Sequence, residues 1–313
     1  MNMVRTIALP ASLILLSVAA AGQTKSYPSP TPPTCTPPLD MEAVSGGYAC
    51  VVRGWFPWYA AGGTGQVWTS TVTLSAPGNE QMFQGTKFND QGGQTPVVTT
   101  VDSNGATQEQ NIGYGSVLSA NQPYQITIQG LSSEQSSGFP TQQTGPVFVS
   151  IACPDSTCLD ARPQLNFIAF QGSSAPYFNL SIPAIWNSEL GDRFSAVYRV
   201  TLAGPGWQEN GSWAIVNGGS TDVGPQVCLF DHTGQTQIAC KQMDPIKPNG
   251  AGALDLKSGF GSALAPAGFT GNEETIKAVF IAPAGSRIGV AAIQFNGLAA
   301  TSIPVQPEPE PGQ

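Results

Sequence analysis

Acid–base chemistry needs carboxylates or histidines that the fold brings together. The candidates in this chain are Glu80, Asp90, Glu109, Glu189, Asp192, Glu209 and Asp231, with His232 as the single histidine. Two of these acids facing each other would suit glycoside hydrolysis, and a Ser-His-Asp relay would have to use His232. The neighbours of these residues point to a plainer use. Asp90 lies in "FNDQGGQT", and Asp231, beside His232, lies in "FDHTGQT". In both stretches the aspartate favours a turn, and Gly92 and Gly234 accept a positive φ without steric cost. The G-x-S-x-G signature of a nucleophilic serine is absent. These observations argue for a protein without catalytic activity.

Metal ligation has as little support. "DSNGATQE", from Asp102, sets oxygen-bearing side chains around a glycine as calcium loops do, but the later ligand positions are missing and an Asn-Gly turn accounts for the same residues. No C-x-x-C occurs, so no metal and no cofactor is expected. The six cysteines, an even number, are read as three structural disulfides of an oxidising compartment, although the count alone leaves their connectivity open. Local geometry narrows it. In "CLFDHTGQTQIAC" a hairpin with its loop at Thr233 to Gln235 sets Cys228 opposite Cys240 and Phe230 opposite Ile238. Cys153 and Cys158 bracket a tight loop, "CPDSTC", which leaves Cys35 and Cys50 to pin the Pro-rich N-terminal segment to the first strand.

The best candidates for binding are aromatic. "GWFPWYAAGG" crowds Trp55, Phe56, Trp58 and Tyr59 around Pro57, which interrupts a regular strand, and Trp207 lies in a second loop, "GPGWQENGSW". Flat rings stack on sugars and on peptide prolines. Trp55, Trp58, Tyr59 and Trp207 are therefore candidate anchors for a polysaccharide or a surface protein, in competition with a role in closing a sandwich end or a seam between modules.

The elements that would hold these residues appear twice. "RPQLNFIAFQG", from Arg162, returns as "RIGVAAIQFNG", from Arg287. "WTSTVTL" from Trp68 answers to "WAIV" from Trp213, "FNDQGGQT" to "FDHTGQT", "VFV" from Val147 to "VFI" from Val279, and "SIPA" from Ser181 to "SIPV" from Ser302. Blocks that recur in one order imply an internal duplication. Within "VWTSTVTL", Trp68, Val72 and Leu74 fall on one face and Thr69, Thr71 and Thr73 on the other, the alternation of a half-buried antiparallel strand. Ile168 with Phe170, and Ile293 with Phe295, are expected to point into the cores. No capped helical pattern of a dozen residues or more is found in the mature chain. The fold class is therefore all-β, as two tandem immunoglobulin-like antiparallel β-sandwiches.

Their boundaries follow from composition: a signal peptide over residues 1–22, a Pro-rich segment over 23–46, the first sandwich over 47–185, the second over 186–306 and a disordered Pro/Glu tail beyond. The apolar run after Arg5 is interrupted by Pro10 and is shorter than the roughly 18–20 residues of a bilayer span, so the mature chain is expected to be secreted or periplasmic without a membrane span. Only 10% of residues are charged and the net charge is −8, which excludes nucleic acid as a partner because phosphate is held by Lys and Arg. The sequons at Asn179 and Asn210 matter only in a host that glycosylates secreted proteins.

The order "FPWYAAGG", "WTSTVTLSAPG", "FNDQGGQ", "VFVSIA", "LNFIAF", "LSIPA" resembles the secreted β-sandwich modules of environmental bacteria, notably acidobacteria. The resemblance covers most of residues 54–306, with Ser75 where such modules usually carry Asn. It implies export and a β-sandwich. Those modules have no assigned catalytic role, so on this reading the protein works in extracellular binding, adhesion or structure, with a carbohydrate-binding module or a secreted hydrolase as alternatives.

Overall fold

Chains rich in Thr, Val and Gly with period-two alternation form short strands, and the structure is built of them. The computed structural model describes residues 31–32, 34–35, 37, 39–44, 47–62, 66–75, 84–85, 87–88, 94–95, 97–101, 107–110, 123–128, 143–153, 162–171, 176–201, 209–264, 273–296 and 299–309. The expected signal peptide, the turns at Asp90 and Asp102, and Trp207 and Cys158 lie outside the described residues.

The first module contains β1 (Asp40–Val44), β2 (Gly47–Ala61), β3 (Gln66–Ser75), β4 (Gln84–Gly85), β5 (Lys87–Phe88), β6 (Gln94–Thr95), β7 (Val97–Val101), β8 (Thr107–Gln110), β9 (Pro123–Thr127), β10 (Gln143–Cys153), β11 (Gln164–Gln171), β12 (Pro176–Pro183) and β13 (Ile185–Trp186). The second contains β14 (Arg193–Thr201), β15 (Glu209–Asn217), β16 (Gln226–Phe230), β17 (Gln237–Gln242), β18 (Ala251–Asp255), helix α1 (Leu256–Leu264), β19 (Glu273–Ile281), β20 (Ile288–Asn296), β21 (Ala299–Ile303) and β22 (Val305–Pro307).

Antiparallel pairing sorts most of these strands into two pairs of sheets, with β5 and β6 forming a separate two-stranded sheet. In the first module β1-β2-β10-β7-β8 packs against β12-β11-β3-β9; in the second β17-β16-β19-β14-β22 packs against β18-β15-β20-β21. Among the described residues no ladder joins the modules. The strand orders coincide. β2, β10, β7 and β8 stand to one another as β14, β19, β16 and β17 do, β13 lies on β2 as β22 lies on β14, and β12-β11-β3-β9 runs as β21-β20-β15-β18. The doubled stretches occupy the matching strands β11 and β20.

The register corrects two expectations. Ser70 pairs with Phe167 and Trp213 with Ala292, the positions that match when the doubled stretches are aligned, so Trp213 takes the place of Ser70 and not of Trp68. The residues turned into the cores are Leu165, Phe167 and Ala169 in β11 and Ile288, Val290 and Ala292 in β20. Ile168 is half-exposed on the other face, and Ile293 and Phe295 lie against the first module's core rather than their own. Period-two reading fails here because both faces of β20 are apolar, as in strands covered on both sides.

Trp213, 1% exposed, is central to the second core, with ring centroids 6.2 Å from Tyr198, 6.0 Å from Phe260 and 5.6 Å from Phe280. Phe260 arrives on α1, whose Leu256, Phe260 and Leu264 are buried at a spacing of four residues. Asp255 starts this helix by accepting from the Ser258 amide (2.8 Å) and its hydroxyl. At nine residues α1 is shorter than the dozen-residue pattern sought in the sequence, so the all-β class accommodates it.

In the first module the hydroxyl of fully buried Ser70 does the work of a strand. It donates to the Ala60 carbonyl (2.7 Å) and accepts from the Ala60 amide (3.1 Å) where, among the described residues, β2 has no neighbouring strand on that edge. The chain ends also depart from expectation. Residues 40–44 of the Pro-rich segment form the edge strand β1, and residues 305–307 pair with β14, followed by a Glu308 amide bond to the Arg193 carbonyl (3.1 Å) and a Lys277 to Glu308 ion pair (2.6 Å). An edge position tolerates the prolines of this tail because only one side of the strand must pair.

Disulfides join Cys35 to Cys50 and Cys228 to Cys240, both as expected. A bulge between Leu229 and Phe230 places Phe230 opposite Gln237, not Ile238. The turn beyond it is closed by Asp231, whose carboxylate accepts from the Thr233 hydroxyl (2.6 Å) and from the amides of Thr233 (3.2 Å) and Thr236 (3.3 Å), while Gly234 takes φ +69°. The Thr233 hydroxyl, assisted by backbone amides, holds the Asp231 carboxyl down at about 2.

Two outcomes follow. Ser70→Ala strands the Ala60 amide and carbonyl and should cost about 1–3 kcal/mol in chemical unfolding, whereas Thr71→Ala on the half-exposed face costs little. Because the Asp231 pKa is depressed on folding, its contribution is present above about pH 4 and disappears as the pH falls through about 2. The stability gap between the native chain and Asp231→Asn, followed by thermal melts, should therefore narrow across that window.

Candidate functional site

Pro57 sets the geometry of the aromatic cluster. Tyr59 pairs with Gly145 and Phe56 with Val147, so Pro57 and Trp58 together oppose Pro146 in a bulge. The extra residue shifts the alternation. Phe56 (0% exposed) and Tyr59 (1%) both enter the first core, although they are three apart. Trp55, also buried, stands outside that cluster, its ring 4.8 Å from Phe148 and its indole nitrogen donating to the Asn187 side-chain oxygen at 2.9 Å. Of the expected anchors, then, Trp55 and Tyr59 are withdrawn from solvent and Trp58 is half-buried, while Trp207 lies outside the described residues.

Trp58 stands at the seam between the modules. Beyond Trp55, β2 has no strand partner on one edge among the described residues, and the second module's β15, β18 and β20 pack against it, as β21 packs against β12. The sheet β18-β15-β20-β21 therefore has two buried faces. One carries Trp213, Ile215, Val290 and Ala292 into its own core; the other presents Ala291, Ile293, Phe295 and Ala300 to the core of the first module.

The closure is incomplete. A cavity of about 320 Å³ remains where Trp58, Trp68, Phe167 and Leu180 of the first module meet Leu254, Ile293 and Phe295 of the second. Trp58 also borders a neighbouring cleft of about 340 Å³ with Thr144, Asp244 and Lys247. A third cleft, about 660 Å³, runs beside the linker between Ile182 to Ile185 and Ser302 to Pro307. Sequence reasoning identified Trp58 but missed Trp68, Leu254, Ile293 and Phe295 as wall residues. The signal was present in "RIGVAAIQFNG", where apolar residues occupy both faces of one strand.

The linker that sets the seam is held by the arginines that open the doubled stretches. Arg162 makes a two-pronged bond to Glu189, with one arm at 2.9 Å, and also donates to the Ala184 carbonyl (3.2 Å) while lying 5.7 Å over the Trp186 ring. Glu189 in turn accepts from the Trp186 amide at 2.9 Å. Arg287 donates to the Asn187 carbonyl (2.9 Å), the residue whose side chain Trp55 grips. Gly54 permits this arrangement, since a Cβ there would stand 2.7 Å from the Trp186 ring.

The acids have structural partners where they are described. Glu189 binds Arg162, Asp192 accepts from the Gly285 amide at 2.8 Å, and Asp231 closes its turn with His232 exposed beside it. The side chains of Glu109 and Glu209, and the whole of Glu80 and Asp90, lie outside the described residues. Among the described residues no group of three or more His, Cys, Asp or Glu is placed to hold a metal, and no helix is long and apolar enough to cross a membrane. Searches against protein-family models, curated proteins and solved structures found no match to the chain.

Removing the Arg162 clamp should free the linker without unfolding either core. In Arg162→Ala, amide hydrogen exchange at Trp186 and Leu190 is expected to quicken on the order of fivefold, the scale of a part-exposed ion pair, with β11 and β15 amides unchanged.

Proposed function

We propose that the chain is exported and acts outside the cytoplasm as a non-catalytic binding protein of two tandem immunoglobulin-like copies. Its binding element is the seam between them, and Trp58 is the principal anchor. The observation that carries this reading is the half-buried indole of Trp58, which borders two clefts that neither module forms alone. Clefts between modules are favoured places for ligands because they combine depth with side chains from independent walls. The two disulfides among the described residues and the low charge fit an exported chain.

A carbohydrate-binding form of this reading draws on the second cleft, where Trp58 meets Thr144, Asp244 and Lys247: a flat apolar ring beside polar groups suits a sugar. The burial of Trp55 and Tyr59 weighs against a long aromatic platform and favours recognition of one or two residues or a chain end.

The test is retention of the oxidised chain, from residue 23 onward, on insoluble polysaccharides and cell-envelope material. Retention of the native chain and at least about tenfold weaker retention of a folded Trp58→Ala variant, the loss of a central aromatic anchor, is the expected outcome. Equal retention of both would remove Trp58 from the site. Absence of retention in both would assign the chain to a spacer role.

A further inference from the structure

The cavity of about 320 Å³ at the seam has a chemical character of its own, and we propose that it is a site for a small, uncharged, ring-bearing apolar molecule. This rests on the seam being the binding element but goes beyond it, because a polysaccharide would need the more polar cleft on the other side of Trp58.

Size sets the first limit. The volume stands at the small end of the roughly 300–1,000 Å³ found for ligand sites, which admits one or two rings and excludes a folded element. Charge sets the second. Among the described residues that line the cavity, Asp255 alone ionises, and both of its oxygens accept hydrogen bonds from Ser258 as the cap of α1. A cation would have to compete with the helix for that carboxylate, and an anion would be repelled by it. An uncharged molecule suits such a wall.

The remaining surface supplies the attraction. Trp58 and Trp68 come from the first module, and Leu254, Ile293 and Phe295 from the second, so flat rings and branched aliphatic groups line the same space. Each of these five is only partly buried in the native chain. An apolar guest would withdraw the exposed remainder from water, and the attraction grows with the apolar area covered. The Ser212 residue at the rim adds one hydroxyl for a single polar substituent.

Ala253 lies on the lining and is exposed, so a large side chain there fills the space without entering either core. The experiment titrates the native, oxidised chain with the uncharged probe N-phenyl-1-naphthylamine, excited directly, and repeats it with Ala253→Trp and Ala253→Ser after both variants pass a far-ultraviolet circular dichroism check. The expected result is one saturable site in the native chain and in Ala253→Ser, with affinity at least tenfold lower in Ala253→Trp. Failure of the native chain to bind saturably, or equal affinity in Ala253→Trp, would overturn the proposal. The outcome is separable from the polysaccharide test. Trp58-dependent retention on envelope material without probe binding would leave the seam a binding element and remove this ligand class, whereas probe binding without retention would do the reverse.

Discussion

The double burial of β18-β15-β20-β21 is the constraint on which the molecule depends. A strand covered on one face alternates between apolar and polar residues; one covered on both faces cannot. In β20, Ile288, Val290 and Ala292 complete the core of the second module, and Ala291, Ile293 and Phe295 cover the flank of the first. That flank needs a cover because, among the described residues, β2 has no neighbouring strand beyond Trp55, and an uncovered strand edge offers unpaired amides and carbonyls to any passing chain. Ser70 answers part of the difficulty with its hydroxyl, and the neighbouring sheet answers the rest by burying the ground around it.

Orientation then follows from a short polar cluster. The linker has to cross from β13 to β14 within a few residues and present β20 at the right height. Arg162 and Arg287, at matching positions of the doubled stretches, both grip the linker: Arg162 through Glu189 and the Ala184 carbonyl, Arg287 through the Asn187 carbonyl. An exposed ion pair alone contributes little, but here the guanidinium also lies on Trp186, whose ring needs the bare surface of Gly54. Packing fixes the geometry and the charged bonds select it.

The all-β class, the burial of Val72 between half-exposed Thr71 and Thr73, the Cys228 to Cys240 pairing and the Asp231 turn were legible in the sequence because each rests on local physics: period two, turn chemistry and the span of a hairpin. What was not legible depends on neighbours remote in the chain. The bulge at Pro57 moves Tyr59 to the same face as Phe56, which no count along "WFPWY" reveals without knowing that Pro146 faces two residues. The direction of Ile293 and Phe295 is decided by the first module, more than a hundred residues away, and the sequence offers apolar residues to both faces equally. Helix α1 is short and contains Gly259 and Gly261, so its propensity is poor; the buried trio Leu256, Phe260 and Leu264 holds it by packing. The candidate site was half-visible for the same reason. Trp58 stood out by type, whereas its partners across the seam became neighbours only through the docking of two sheets.

Shared strand order usually lets a unit be moved, deleted or recombined without harm to the next. The flank of the first module removes that freedom here. A chain cut between β13 and β14 would expose the bare edge of β2 together with Phe167, Leu180 and Trp68, and the second unit alone would show Ile293 and Phe295 to water. The fit is therefore joint: a change in the outer face of β20 has to be matched on the flank of the first module. The two similar stretches differ accordingly: "RPQLNFIAFQG" is turned to a single core, and "RIGVAAIQFNG" serves two.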